Sequence, residues 1–414
     1  MTSLTMQMAW RNVWRHPRRS ILTMSAVAFA SLVLIFMLSW QFGSYETMID
    51  SAVAAHSGHL QVQAEGYQEK QRMGQVVRDP DAIRSLLEEI PEVAAFTARA
   101  SAFSLVSSDE RSYAALVVGI EPEREARVST LETLVREGAY LAPDDGNQAL
   151  LGRLLARNLR VGVGDEVVLL GQGRDGSIAA TAVRVKGIFE SGQDELDRST
   201  LQIPLTVFQE VYAMRGAVHE VVVLGRDLDA VPRIKQLLVS AIQEGHAGNG
   251  LVVLDWKELM PGLIQSIQMD LVSGFLFYVI LILVVAFSIM NTFLMAIFER
   301  KKEFGVLMAL GSRPGRLSRL ILAECTLMTG LGVGVGIILG MAVTAYFQAH
   351  GIHFSGTSEI LRQFGLPERM YPELSLLSVS VGTAVVLLIN SFAVIYPTLQ
   401  VRRLRPVDAM AAPQ

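Results

Sequence analysis

Two long apolar runs separated by a short, strongly charged one constrain this chain more than any other feature. Leu271 to Phe298 contains no Asp, Glu, Lys or Arg. As a helix rising about 1.5 Å per residue, it outruns the roughly 30 Å of hydrocarbon in a bilayer. From Leu320 to Phe347 the chain is apolar again apart from Glu324. Between the two stand Glu299, Arg300, Lys301, Lys302, Glu303, Arg313, Arg316 and Arg319, a cationic excess that the positive-inside rule assigns to the cytoplasm. Glu299 and Glu303 lie one helical turn apart, and Phe304, Leu307, Met308 and Leu310 supply apolar anchors. This spacing predicts a short helix along the membrane with a mixed face toward a partner, ended by Gly311 and Pro314-Gly315.

Two further runs complete the pattern. Ile21 to Phe42 is uncharged and long enough to cross once, and Leu374 to Val401 leads into Arg402, Arg403 and Arg405. Met6 to Arg19 carries Trp10, Trp14, Arg11, Arg15, Arg18 and Arg19 without an acid. This suits an interfacial helix with tryptophans at headgroup depth, broken near Pro17. A cleaved leader is the competing reading, but the apolar run is too long for one and ends without a small-x-small site. The expected order is an interfacial segment 1–20, spans 21–42, 271–298, 320–347 and 374–401, an external domain 43–269, a charged cytoplasmic segment 299–319, an outer loop 348–373 and a cytoplasmic tail 402–414. Every expected cytoplasmic flank is basic and the outer loop is not, so the chain is expected in the cytoplasmic (inner) membrane with both termini in the cytoplasm. The fold class is therefore a membrane protein with four transmembrane α-helices and a large α+β extracytoplasmic domain between the first and second.

Residues 43–269 read as an ordinary globular insert. His59 to Gln63 alternates like a strand; Pro80 to Ile90, capped by Asp79, reads as a helix; Ala98 to Val106 and Tyr113 to Gly119 read as a strand pair. Charge rises from Glu121 to Thr133 and predicts little order there. Gln148 to Leu159 reads as a helix, and Glu166 to Leu170 with Ile178 to Phe189 as a hairpin. Helices at Pro204 to Met214 and Asp229 to Glu244 and strands at His219 to Leu224 and Leu251 to Leu254 follow.

Several motifs fail on context. Gly171-Gln-Gly-Arg-Asp-Gly176 matches GxGxxG, but a strand follows it where dinucleotide binding needs a helix, so it reads as a hairpin turn. No GxxxxGK[ST] occurs, so any ATP hydrolysis belongs to another chain. His56 with His59, and His350 with His353, have metal-pair spacing but no completing ligands, and read as surface or interfacial residues. No GxSxG or nucleophile triad points to an enzyme. With a net charge of −4 and basic residues beside apolar runs, nucleic acid is not an expected partner, whereas membrane lipids are. The single cysteine, Cys325, excludes an intrachain disulfide, and its lipobox-like setting LAEC lies mid-chain.

Gly332, Gly336 and Gly340 recur on one helical face, with Gly330 and Gly334 alongside. They form a small-residue seam for another span or for a second subunit. Glu324, about a turn inside its span, is costly if charged and alone, and calls for snorkelling or a basic partner. Asn291 reads as an interhelical hydrogen-bonding group.

NTFLMAIFERKKEFGVLMALGS and LILAECTLMTGLGVGVGIILG resemble the C-terminal FtsX-type module of the MacB-like (type VII) ABC transporter permeases, which include the LolC/LolE proteins. AWRNVWRHPRRSILT and YPTLQVRRLRPVDAM extend the resemblance over the whole chain. It implies a porter-like subdomain at 58–120 and 218–256 with a second inserted at 121–217. It also implies a coupling helix that docks in a groove of a separate cytoplasmic ABC ATPase dimer, with Glu299, Arg300, Lys301, Lys302, Glu303, Phe304, Gly305, Leu307, Leu310, Gly311 and Pro314 as the coupling residues. Asn291, Glu324, Gly332, Gly336 and Gly340 are the helix-packing residues. No cofactor is expected on the chain itself, ATP and Mg being used by the partner ATPase. A second permease copy or paralogue is expected, and a periplasmic or outer-membrane partner is compatible with the family. The implied work is mechanical, moving a lipoprotein, peptide or drug-like cargo, with the lipoprotein favoured. The rival readings are a membrane-anchored sensor or structural protein with a ligand-binding external domain, and a membrane enzyme.

Overall fold

The structure, a computed structural model, describes residues 3–15, 17–53, 57–245, 248, 250–310, 312–353 and 369–402. In chain order the elements begin with α1 (Ser3–Arg15), α2 (Pro17–Ala52), β1 (Leu60–Ala64), α3 (Tyr67–Lys70), α4 (Pro80–Glu88), β2 (Val93–Ser107), β3 (Ser112–Ile120) and α5 (Pro122–Val128). They continue with β4 (Val135–Gly138), β5 (Gln148–Gly152), α6 (Arg153–Leu159), β6 (Glu166–Gln172), β7 (Ile178–Phe189), α7 (Asp194–Ser199), β8 (Thr200–Pro204), α8 (Leu205–Val211), β9 (Glu220–Gly225), α9 (Val231–Gln243) and β10 (Leu251–Asp255). The last are α10 (Trp256–Leu259), α11 (Pro261–Glu299), α12 (Lys301–Ala309), α13 (Pro314–His350), the two-residue strands β11 (Ile352–His353) and β12 (Arg369–Met370), and α14 (Leu376–Arg402). They divide into two compact units, Thr47–Ser266 and the helices on either side of it in sequence.

Thr47–Ser266 is built on a ten-stranded sheet in the order β10-β1-β9-β2-β3-β8-β5-β7-β4, with β6 pairing β2 and β7. Strand β2 is its spine: β9 runs along the first part of one edge and β6 along the end of it, while β3 occupies the other edge. All pairs are antiparallel except β3 with β8 and β5 with β7. Strands from 121–217 therefore continue the same hydrogen-bonded sheet as those from 58–120 and 218–256. Alternation explains β1, where Leu60 and Val62 are fully buried. Gln61 and Gln63 are buried on the opposite face too, the Gln61 amide donating to the Ser57 carbonyl at 2.9 Å. Helix α4 starts as its sequence dictates: Pro80 occupies the first turn, and the Asp79 carboxylate accepts from the Ala82 N–H at 3.1 Å. It buries Ile83 and Leu87 in a core shared with Ala98, Val117, Leu151, Phe208, Val221 and Ile234.

Three expectations for this unit change. The stretch Glu121–Thr133 is ordered: α5 buries Glu125 completely, its carboxylate accepting from Arg99 Nε at 2.9 Å and Nη2 at 2.6 Å. The Glu125 charge is spent on a buried ion pair, while Glu123, Arg127 and Glu132 stay exposed. Gln148–Leu159 is β5 followed by α6. Ala149, Leu150 and Leu151 have helix-compatible side chains, but β7 and β8 flank them and sheet pairing overrides that preference. His59 is buried, its Nδ1 accepting from the Gly225 N–H at 3.0 Å; His56 lies outside the described residues. The hairpin between β6 and β7 forms as expected, with Gly176 at φ 85°, where an L side chain would be strained.

In the other unit, four helices among the described residues are long and apolar enough to cross a membrane. Helices α2, α11, α13 and α14 contain windows of mean hydropathy 2.5, 2.7, 2.0 and 2.1. Helix α1 precedes them, with Ala9 and Val13 buried and Trp10 and Trp14 about half exposed in an edge-to-face pair at 5.9 Å. Polar contacts tie the long helices to one another, at the end of the spans and within them. Tyr45 of α2 donates to Asp270 of α11 at 2.6 Å, Ser39 of α2 to Ser378 of α14 at 2.9 Å, and Thr329 of α13 to Asn390 of α14 at 3.4 Å. The glycine seam packs against α2. A Cβ on Gly332 would lie 2.8 Å from the Met24 carbonyl oxygen, and one on Gly336 2.5 Å from Ser31 Cβ. At Gly340 the nearest atom would be at 3.3 Å, whereas Gly330 and Gly334 face open space.

Candidate functional site

The charged turn between α11 and α13 folds into α12, a nine-residue helix with its own buried root. Phe304 and Met308, four residues apart, share one face and join Ile297, Leu317 and Ile321 in the apolar core of the helical unit. Gly305 is buried beside them. The opposite face exposes Lys302, Val306 at 53%, Leu307 at 38% and Leu310 at 79%. Of the eleven residues expected to couple, Phe304 and Gly305 therefore anchor the helix instead of facing outward. Pro314 opens α13 at its first turn instead of closing α12, and Gly311 lies outside the described residues.

Charge fixes the helix in place. Arg300, immediately before α12, reaches across to α13. Its Nη1 donates to both Glu324 oxygens, at 3.2 and 3.0 Å, with both side chains about nine-tenths buried. The Asn12 amide of α1 donates to the same carboxylate at 2.5 Å. Arg300 also lies 3.3 Å from Glu303, and its guanidinium stands 5.3 Å over the Phe304 ring. Helix α1, helix α13 and the residue capping α12 thus meet on one carboxylate. The basic partner that Glu324 calls for is Arg300, donated from outside the span. The two outer acids are also engaged: Glu299 accepts from Arg19 at 2.9 Å, and Glu303 lies 3.7 Å from Arg15. What α12 leaves open is an apolar stripe beside Lys302, not a pair of free carboxylates.

Asn291 is exposed on α11 and makes no side-chain hydrogen bond among the described residues. The buried asparagine between spans is Asn390, which donates to the Val386 carbonyl at 2.9 Å and accepts from Thr329. Its only signal in the sequence is a lone amide inside an apolar run, the same signal that Asn291 gives. Asn12 is likewise unreadable without Glu324 opposite. His350 is exposed against the Tyr346 carbonyl at 2.9 Å, and no three metal-ligating side chains cluster among the described residues. In the globular unit a cavity of 520 Å³ is lined by Gln61, Tyr67, Gln71, Ser101, Phe103 and Glu220 among others.

Comparison with known proteins decides the family. Residues 20–241 match the model of the MacB-like periplasmic core domain, and residues 275–406 match that of the FtsX-like permease C-terminal. The chain belongs to the MacB-like family of ABC transporter permeases. Over 404 residues, 94% of this permease and 93% of the relative, it is 24% identical to the lipoprotein-releasing system transmembrane protein LolC of Xylella fastidiosa (strain Temecula1 / ATCC 700964). It is 23% identical to LolE of Haemophilus influenzae, covering 79% of each chain. It is also 23% identical to the macrolide export ATP-binding/permease protein MacB of Bartonella quintana, covering 80% of the permease and 50% of that relative.

Proposed function

We propose that this permease relays ATP-driven motion from a separate cytoplasmic ATPase dimer to its globular unit, which stands on the extracytoplasmic side of the inner membrane. Helix α12 is the coupling element. The observation that carries the proposal is its two-sidedness. Phe304, Met308 and the Arg300–Glu324 pair bind it rigidly to the spans, while Lys302, Val306, Leu307 and Leu310 remain uncovered. A rigidly rooted helix with an open apolar face transmits displacement; a loosely tethered one would absorb it. ATP and Mg are bound by the ATPase, and a second permease copy or paralogue completes the assembly. The cargo is a lipoprotein, a reading supported by the near full-length match to LolC and the match to LolE.

The test replaces the open face and spares the root. Val306→Asp with Leu310→Asp should insert at wild-type levels yet fail to co-purify the ATPase and fail to release a lipoprotein from reconstituted vesicles. Wild-type ATPase recovery in the double variant would remove α12 from the coupling role.

A further inference from the structure

A second feature of the helical unit adjoins the coupling segment at Glu299 without using the open face of α12. Where α1, α2 and α11 approach one another, a cavity of 570 Å³ is lined by Arg15, Pro17, Arg18, Arg19, Leu22, Asn291, Thr292, Met295 and Glu299. That volume lies within the roughly 300–1,000 Å³ of small-molecule sites. Its charge is unbalanced: three arginines face one carboxylate, and Arg19 already holds Glu299 at 2.9 Å. Among the described residues, Arg15 has only the 3.7 Å approach of Glu303 and Arg18 pairs with no acid. The exposed Asn291 amide adds donors that are not used elsewhere among the described residues. The wall that continues from this cationic end is apolar, with Leu22 67% and Met295 56% exposed.

We infer that this cavity binds the phosphate-bearing headgroup of an anionic membrane phospholipid, with its acyl chain along Leu22 and Met295. The two halves of the lining call for one molecule with both chemistries. Arginine guanidinium presents forked donors that match phosphate oxygens, and Leu22 and Met295 lie within the candidate spans, where an acyl chain and not water covers apolar side chains. Both contributing long helices are membrane-crossing in length and hydropathy, and the half-exposed Trp10 and Trp14 on α1 are residue types enriched at headgroup level. Basic pockets between transmembrane helices beside the membrane surface are known lipid-headgroup sites. Such a lipid would clamp α1 to α2 and α11, giving Asn291 a polar partner that the described residues do not provide.

The experiment measures lipid retention by the full chain with native mass spectrometry after equilibration with phosphatidylglycerol or phosphatidylcholine. The wild type should prefer phosphatidylglycerol. Arg15→Gln with Arg18→Gln should reduce that preference about 30-fold, on roughly fivefold per basic group, and Arg15→Lys with Arg18→Lys should keep most of it. Millimolar inorganic phosphate should displace nothing. No preference in the wild type, a preference surviving the glutamine pair, or displacement by inorganic phosphate would each overturn the inference. So would loss of ATPase binding in the glutamine pair with the lipid preference unchanged, which would assign the cavity to an acidic protein surface. If the glutamine pair fails to accumulate, photoactivatable phosphatidylglycerol on the wild type decides. Label on peptides containing Arg18 or Asn291–Met295 supports the site, and label confined elsewhere rejects it.

Discussion

Replacing Glu324 by glutamine tests the anchoring of α12 most directly. The substitution preserves shape and leaves an oxygen for the Asn12 amide, while removing the charge that faces Arg300 at 3.0 and 3.2 Å. Two unit charges about 3 Å apart attract by roughly 5 kcal/mol at an effective dielectric of 20, much of it offset by desolvation. Truncating one partner of a buried pair typically costs about 3–5 kcal/mol, because the survivor is left uncompensated. Arg300 retains Glu303 at 3.3 Å and the Phe304 ring, so Glu324→Gln should cost about 2–3 kcal/mol, at or below the low end of that range. Arg300→Gln strands a carboxylate that is 9% exposed and should cost about 3–5 kcal/mol. The assay is a double-mutant cycle on unfolding of the full chain in mixed micelles. Arg300→Gln with Glu324→Gln should recover about 2 kcal/mol relative to the sum of the single variants. A coupling energy below about 0.5 kcal/mol would mean that the pair does not hold α12, and the rigid-root argument would fall.

Three other outcomes follow from particular contacts. Gly336→Ala should destabilise by about 1–3 kcal/mol through overpacking against Ala28 and Ser31, whereas Gly334→Ala, which meets nothing, should be neutral or slightly stabilising by the same unfolding assay. In the globular unit, burial pulls the His219 imidazole down from 6.5 to about 4, with its Nδ1 accepting from the Ser101 N–H at 2.9 Å and its ring stacked on Tyr67. The unfolded chain then binds the extra proton first. Stability from this group is therefore complete above about pH 6.5 and is lost as pH falls toward 4, by up to about 3 kcal/mol; His219→Gln should flatten that part of the pH–stability curve. For orientation, a cysteine at Asp175 should react with an impermeant thiol reagent added outside cells and one at Ser312 should not. Labelling of both from one side would refute the proposed topology.

Several features were legible in the sequence because their causes are local. Four apolar runs longer than a bilayer is thick, a Pro following an Asp cap, and a glycine turn between alternating strands each depend on neighbours within a few residues. The family resemblance, carried by contiguous strings such as NTFLMAIFERKKEFGVLMALGS, was legible for the same reason. Other features depended on residues far apart in the chain, and only the tertiary structure decided them. Glu125 looks solvated until Arg99, 26 positions earlier, closes on it. Gln148–Gly152 has no intrinsic reason to be extended until β7 and β8 flank it. Asn291 and Asn390 are equivalent as lone amides in apolar runs, and packing buries one and exposes the other. The acids at 299 and 303 looked like free docking groups, but α1 and α2 bring Arg15 and Arg19 to them. Pattern along a chain reports which face wants burial; which partner it meets is a property of three-dimensional closure, where a single long-range contact outweighs local preference.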